Sequence, residues 1–482
     1  MQDIEKKIDE VLSRGVGEFI DPDGSFRQKL IDKNNGKYDK DIVIKYGVDP
    51  TRPDIHLGHA VCFRKLREFQ NLGCKVIFLV GDFTAMIGDP TGKSKVRPEL
   101  DQQEVEKNVI TYLKQIDKIL TVEKDNAGNI LHGHSFSWIR NMDWYASPAD
   151  VDVARQIGKE NLANVKSVIE KGGVQIEDNP NSLVSKAILL QNTRMQNVFL
   201  KKPETQFITL INLMFNLRHI THSRLIERDM FQDRIDKSEP LYMHEMLYPV
   251  LQGVDSIALA KIYGSCDLEV GGTDQTFNML VGRDLMSKET PKMAEQSVLA
   301  FKLLEGTDGK EKMSKSLDNY IGITDEPNSM FLKVMSLPDT SVMNYFELCT
   351  DLSMEEIAKI AEDIVTGGNV RAIKMRLAQE IVTMYHSASA SEDAKKFYEA
   401  KSAGEIPENV SPSQGPPAQL SEFIFNQGFA TSKSDARRKI EQGGVEIDGE
   451  RILDWQYEVG TNDNGKVMSV GKNYMVRIVF ND

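Results

Sequence analysis

The chain has 482 residues and a mass of 54.3 kDa, more than the roughly 100–200 residues of one domain, so several domains are expected and a lone binding module is excluded. Apolar residues make up 40% and charged residues 27%, which allows a substantial buried core and excludes a fibrous or globally disordered chain. Lys and Arg number 59 against 72 Asp and Glu, a net charge of −13; coating of nucleic acid through overall positive charge is excluded, and any such contact must come from a local patch.

The amino terminus is charged from Asp3 onward, and the purest apolar run, 76–80, falls far short of the ~20 residues that a membrane span needs. The cysteines Cys62, Cys74, Cys266 and Cys349 form no CxxC pair. Structural zinc is therefore not expected, and a reducing compartment, the cytoplasm, fits best.

Residues 42–44 give the first strand signal, running into 46–50, where Asp49-Pro50 opens a loop. A helix follows, with Leu57, Val61, Leu66, Phe69 and Leu72 at roughly helical spacing and Gly73 as its stop. Residues 75–80 are apolar on both faces, as a parallel strand covered on each side would be. Strand, helix and strand make one right-handed βαβ unit, in which ligands gather beyond the carboxyl ends of the strands; loops 49–58 and 81–97 then face one crevice. Further helices are expected over 105–120 and around 206–232, 241–263 and 274–288. The stretch 150–205, with Gly172-Gly173 and a loop-like 178–181, reads as an insertion with a helix near 182–200 and no assigned role.

After residue 326 the pattern turns helical, with helices expected over 353–365 and 369–388. Residues 404–419 carry four prolines and two glycines and read as a linker, placed at 404–415. A small domain over 416–482 follows. In it Ser432 or Ser434 can cap a helix bearing Arg437, Arg438 and Lys439, Gly443-Gly444 ends that helix, and Asp448-Gly449 sits at a hairpin turn.

Two loops carry chemistry. The stretch from Gly88 to Ser94 has one residue too few between its glycines for a phosphate loop, and no GxGxxG follows the first strand. What stands there is His56-Leu57-Gly58-His59, where the first strand hands over to its helix. A helix N-terminus presents unpaired amides, and two imidazoles one turn apart can add donors to a phosphate as charge develops on it. Gly58 removes a side chain that would block a planar base. A chance pair of surface histidines is the alternative. Lys312-Met313-Ser314-Lys315-Ser316, after the loop 306–309, sets two ammonium groups three residues apart, suited to holding a leaving pyrophosphate.

These two motifs resemble HIGH and KMSKS, the signatures of the class I aminoacyl-tRNA synthetases. The likeness extends through the run from Gly47 to Thr51, Gly88-Asp89-Pro90, Tyr248-x-x-x-Gln252-x-x-Asp255 and the run from Gly271 to Gln275. It covers most of 40–326 and, more loosely, 416–482, and is similar to the bacterial-type, tyrosine-specific branch. Tyr248, Gln252 and Asp255 share one face of an otherwise apolar helix, where Gln and Asp are costly without partners or a polar ligand; an exposed face is the alternative.

The resemblance implies an α/β fold, with a Rossmann-like parallel-sheet catalytic domain (1–326), a helical anticodon-binding domain (327–403) and an S4-like RNA-binding domain (416–482). It implies that tyrosine and ATP give tyrosyl-adenylate, and that the tyrosyl group then passes to the 3′ end of tRNA(Tyr). Thr51 and His56 would contact the outer phosphates, His59 the ribose or α-phosphate region, and Lys93, Arg97, Lys312 and Lys315 the departing pyrophosphate. Asp49, Gly58, Gly272 and Asp274 would line the ATP site. Asp255 would accept the substrate phenol proton, Tyr248, Gln252 and Asp89 would hold the α-ammonium, and Gln275 would contact the adenylate. Arg437, Arg438 and Lys439 would meet tRNA phosphates, although 416–482 holds 8 basic and 10 acidic residues.

Mg²⁺ is expected to arrive with ATP, no protein-held metal is expected, and family members are homodimers. The chain departs from many relatives at Lys45, where they have a tyrosine that contacts the phenol, and at Tyr46, near the ribose; phenol recognition then rests more heavily on Asp255. A tryptophanyl enzyme, a small adenylyltransferase and a non-catalytic RNA-binding paralogue are the rival readings.

Overall fold

The structure, a computed structural model, describes residues 2–50, 55–90, 102–126, 128, 130–131, 133–145, 208, 210–226, 229–289, 292–314, 317–403, 405, 410, 412–471 and 474–480. They fall into two units, residues 1–54 with 62–302 and residues 55–61 with 303–482.

The first unit is built on a six-stranded sheet of β1 (Val16–Ile20), β2 (Val43–Val48), β3 (Lys75–Val80), β4 (Phe136–Arg140), β5 (Leu268–Gly272) and β6 (Ser297–Phe301). Their order is β1-β6-β5-β2-β3-β4. Five strands run parallel and β1 closes one edge antiparallel to β6. The expected βαβ unit is present: β2 and β3 are parallel neighbours, joined through α1 (Leu57–Asn71). β2 runs on past residue 44 to Val48 in register with β3, and Lys45, in mid-strand, is wholly buried. The strands β1, β4, β5 and β6 were not singled out in the sequence, and Gly271-Gly272, which read as a turn, ends β5.

The stretch 206–232 is three short helices over 210–236, Leu210–Leu217, His222–Ile226 and Asp229–Asp236. The break has a local cause: the Thr221 hydroxyl accepts from the Arg224 amide and caps the second helix. Two long helices, α2 (Met243–Tyr263) and α3 (Thr276–Lys288), cross at glycines, since a Cβ on Gly253 would stand 3.1 Å from the Gly282 Cα and 3.0 Å from Leu285. α2 is fixed at its start by Glu245, which accepts from the Tyr242 amide at 3.0 Å and from both guanidinium nitrogens of Arg234 at 3.0 and 3.1 Å.

In the second unit, α4 (Pro327–Met335), α5 (Val370–Tyr385) and α6 (Ala388–Ala403) form a helical layer. Helix Met354–Val365 begins at a capping box of Ser353 and Glu356, and α5 begins at Asn369. The terminal sheet contains β7 (Pro412–Gln414), β8 (Val445–Ile447), β9 (Glu450–Arg451), β10 (Val467–Val470) and β11 (Tyr474–Val479), in the order β9-β8-β10-β11-β7. The proline-bearing stretch thus supplies an edge strand, β7, parallel to β11. Asp448 and Gly449 both have positive φ, as the hairpin between β8 and β9 requires. Leu332 and Phe397 of the helical layer share one apolar cluster with Val467 and Met475 of the terminal sheet.

Candidate active site

The histidine motif and the lysine-bearing loop belong to the same unit, and their backbones are joined. His56 forms an antiparallel bridge with Gly322, the Leu57 amide donates to the Ile321 carbonyl at 2.9 Å, and the Ile323 amide donates to the Ile55 carbonyl at 3.2 Å. The His56 and His59 rings lie 3.9 Å apart at the first turn of α1, tilted by 31°. Gly58 answers to space there, because a Cβ on it would come within 3.0 Å of the His56 ring and 3.6 Å of the Met313 Cβ. The glycine between the histidines lets the two motifs close on each other.

The loop that carries Lys312 is a hairpin bridged from Glu305 to Lys312. Asp308 accepts from the amides of Lys310 and Glu311 at 3.0 and 3.2 Å, Asn319 donates to Asp308 at 2.8 Å, and the Ser314 amide donates to Asn319 Oδ1 at 2.8 Å. Met313 is buried while Lys312 is exposed. The apolar residue anchors the turn and its basic neighbour stays exposed at the surface.

In the first unit, a polar cluster gathers beyond the carboxyl ends of the parallel strands. Asp49, just after β2, accepts from Thr84 Oγ1 and from the Tyr248 hydroxyl, both at 2.8 Å. Gln275, in the turn after β5, donates to Asp89 at 2.7 Å. Asn278 Nδ2 donates to Gln275 Oε1 and Gln252 Oε1 at 3.0 and 3.1 Å, and Gln252 Nε2 donates to Glu269 at 3.0 Å. Gly272 and Asp274 flank this turn. Tyr46, by contrast, is a core residue, its ring edge-on to Phe63 at 5.4 Å and 6.1 Å from Phe78.

Asp255 lies one turn beyond Gln252, with 2% of its surface exposed. Its carboxylate accepts from Trp144 Nε1 at 2.9 Å, Asn141 Nδ2 at 3.2 Å and the Tyr145 hydroxyl at 3.3 Å. Burial pushes its carboxyl up to about 7; the positive charge of Lys45 and the donors Asn141 and Trp144 pull the other way, and Glu269 adds to the rise. Asn141, Trp144 and Tyr145 were not singled out in the sequence. Their signal was positional, an Asn and one of three tryptophans directly after a strand of the parallel sheet, but β4 itself was not recognised.

Among the expected phosphate contacts of the terminal domain, the Arg437 guanidinium stacks 3.9 Å above Trp455 and Arg438 pairs with Asp435 at 2.6 Å; both remain exposed. Lys439 donates to the Phe429 carbonyl at 3.0 Å and lies 3.2 Å from Asp435 and 3.6 Å from Asp318. Thr51, Lys93, Arg97, Lys315 and the whole of the stretch 150–205 lie outside the described residues.

Comparison with known proteins shows the family. Residues 37–400 match the family model of the tRNA synthetases class I (W and Y), and residues 400–474 match that of the tyrosine–tRNA ligase SYY-like C-terminal domain. The tyrosine–tRNA ligase of Carboxydothermus hydrogenoformans is 35% identical over 98% of this chain and 97% of its own length, and tyrosine–tRNA ligase 2 of Clostridium acetobutylicum is 36% identical over 99% and 100%. In fold, the chain is similar to a C-terminally truncated mitochondrial tyrosyl-tRNA synthetase of Aspergillus nidulans, with a TM-score of 0.51 and 19% identity over 83% of this chain and 96% of that one. By the family model and by these relatives' sequences, the chain belongs to the class I tRNA synthetases of the tryptophan and tyrosine group.

Proposed function

We propose that this chain is a tyrosine–tRNA ligase, joining tyrosine to ATP and then to tRNA(Tyr). The observation that carries the tyrosine reading is Asp255, a buried carboxylate held from behind by an indole and an amide. A carboxylate offers about four lone-pair sites. Trp144 and Asn141 use two, the Tyr145 hydroxyl shares its one proton between a third at 3.3 Å and the Leu251 carbonyl at 3.1 Å, and the fourth serves a phenol hydroxyl. An amino acid lacking that hydroxyl would bury the carboxylate short of a donor, which is a basis for rejecting it.

In the first step the tyrosine carboxylate attacks the α-phosphorus of ATP, which enters as its magnesium complex, and pyrophosphate leaves. Tyr248, Gln252 and Asp89 hold the α-ammonium, while Gln275, Asp274, Gly272 and Asp49 face the nucleotide. His56, His59 and Thr51 meet the phosphates, and Lys93, Arg97, Lys312 and Lys315 take up the charge of the departing pyrophosphate. In the second step the 3′-terminal ribose hydroxyl of the tRNA attacks the acyl carbon and AMP leaves. No covalent enzyme intermediate is needed, so catalysis is positioning and charge stabilisation.

The terminal domain supplies RNA contacts through Arg437 and Arg438, helped by Lys439. Truncation would strip Leu332 and Phe397 of their apolar partners, so a double Arg437→Ala, Arg438→Ala variant is the cleaner probe. Its KM for tRNA is expected to rise about tenfold, with adenylate formation unchanged. Equal losses in both reactions would contradict the division of labour.

We further propose a homodimer in the cytoplasm. Leu210, Met214 and Phe215 expose 73%, 58% and 55% of their surfaces on one helix, an apolar patch suited to a second copy. Light scattering is expected to give twice the 54.3 kDa chain mass and a Phe215→Glu variant the single mass; a monomeric parent chain would contradict it. The four cysteines are buried thiols, in keeping with a reducing compartment. Among the described residues, no helix is long and apolar enough to cross a membrane.

A further inference from the structure

Lys45 stands in the middle of β2 with no exposed surface, and Glu269, directly opposite in register on β5, is 1% exposed. The Lys45 ammonium lies 2.8 Å from Glu269 and donates to Ser256 Oγ and to the Gln252 carbonyl, each at 2.8 Å. Glu269 in turn accepts from Gln252 Nε2 at 3.0 Å, Ser256 Oγ at 3.2 Å and Gln296 Nε2 at 2.5 Å. A buried pair kept for stability alone is often replaceable by apolar residues. This pair is tied to both the backbone and the side chain of Gln252, and to Ser256, the residue after Asp255.

The consequence is directional. Glu269, as a carboxylate, accepts only, so Gln252 must turn its NH₂ toward Glu269 and its oxygen away. Asn278 then donates to that oxygen and to Gln275 Oε1, and Gln275 donates to Asp89. Every amide in the row is thereby oriented from one end. Asn278 Oδ1 is left buried with no hydrogen-bond partner, in a side chain with no exposed surface. An α-ammonium, which can only donate, needs oxygens and not NH₂ groups.

We propose that Lys45 and Glu269 are positioning residues for the amino acid, setting the amide row Gln252–Asn278–Gln275 so that its oxygens, Asn278 Oδ1 among them, receive the α-ammonium. The inference rests on the reading of Gln252 and Asp89 as the ammonium site. Neither Lys45 nor Glu269 touches the substrate in this arrangement; they act by holding Gln252 in one of two amide orientations.

The test uses the full chain and the amino-acid-dependent ATP–pyrophosphate exchange reaction, with 3-(4-hydroxyphenyl)propanoate, tyrosine without its ammonium, as a competitive inhibitor. In Lys45→Met the KM for tyrosine is expected to rise about 10–100-fold, the scale of a misplacement of about 1 Å. The inhibition constant of the desamino acid is expected to stay within about twofold, since it carries no ammonium for the amide row to receive. If tyrosine and the desamino acid weaken equally, or the tyrosine KM does not move, the proposal is overturned. Should Lys45→Met not fold, the near-isosteric Glu269→Gln decides by the same two readouts, because a glutamine no longer dictates which way Gln252 points. Failure of the underlying reading shows differently: the parent chain itself would then bind tyrosine no better than the desamino acid.

Discussion

Replacing Lys315 by alanine is expected to slow tyrosyl-adenylate formation about 10²–10³-fold, the loss typical when one charge-stabilising group is removed from a transition state. Tyrosine affinity should stay within about twofold, because the side chain acts on charge that develops only as pyrophosphate leaves. The hairpin bridged from Glu305 to Lys312, which precedes it in the chain, gives the physical basis. Met313 is buried against the histidine motif, Asn319 and Asp308 pin the turn, and Lys312 faces solvent. The described part of the motif, 312–314, is thus anchored with Lys312 exposed. Single-turnover measurement of pyrophosphate release reads the effect, and an unchanged burst would remove the loop from the chemistry.

Asp255→Asn is expected to lower kcat/KM for tyrosine about 10²-fold, the worth of one hydrogen bond to a charged acceptor near the upper end of about 1.5–3 kcal/mol. The corresponding value for phenylalanine, which has no hydroxyl to lose, should change far less. A pH signature follows from the carboxyl, which burial lifts from 3.8 to about 7. The acceptor form prevails only above that value, so kcat/KM for tyrosine should fall as pH drops through about 7, and that limb should vanish in the asparagine variant. Stability runs the opposite way. A group whose folded value is raised contributes stability that is fully present below pH 3.8 and is lost as pH rises through about 7. The variant is therefore expected to melt no lower than the parent at pH 8. A lower melting point with an unchanged preference for tyrosine over phenylalanine would make Asp255 structural.

The parts of this fold that were legible in the sequence are those where pattern and partner coincide. β3 and α1 announce themselves because a doubly covered strand is apolar over 76–80 and its crossover helix has one apolar stripe, and β2 shows through its apolar start before Lys45. The edge strands β1 and β4 mix charged, glycine or aromatic residues into five-residue runs, too short for a period of two to stand out. The site shows the same split. His56, His59, Lys312, Gln252 and Asp255 stand at telling spacings, whereas the Asn141 and Trp144 that hold Asp255, and the Glu269 that faces Lys45, show only through contacts far apart in the chain. In the terminal domain the basic run 437–439 was visible; that Lys439 engages Asp435 and Phe429 was not.

The claim on which these expectations depend is that a phenol hydroxyl completes the coordination of Asp255 while ATP is opened at its α-phosphate. Amino-acid-dependent exchange of pyrophosphate into ATP tests it most directly. Tyrosine is expected to support rapid exchange with the purified chain, and tryptophan and phenylalanine to support almost none. Exchange driven by tryptophan, or none with any amino acid, would contradict it.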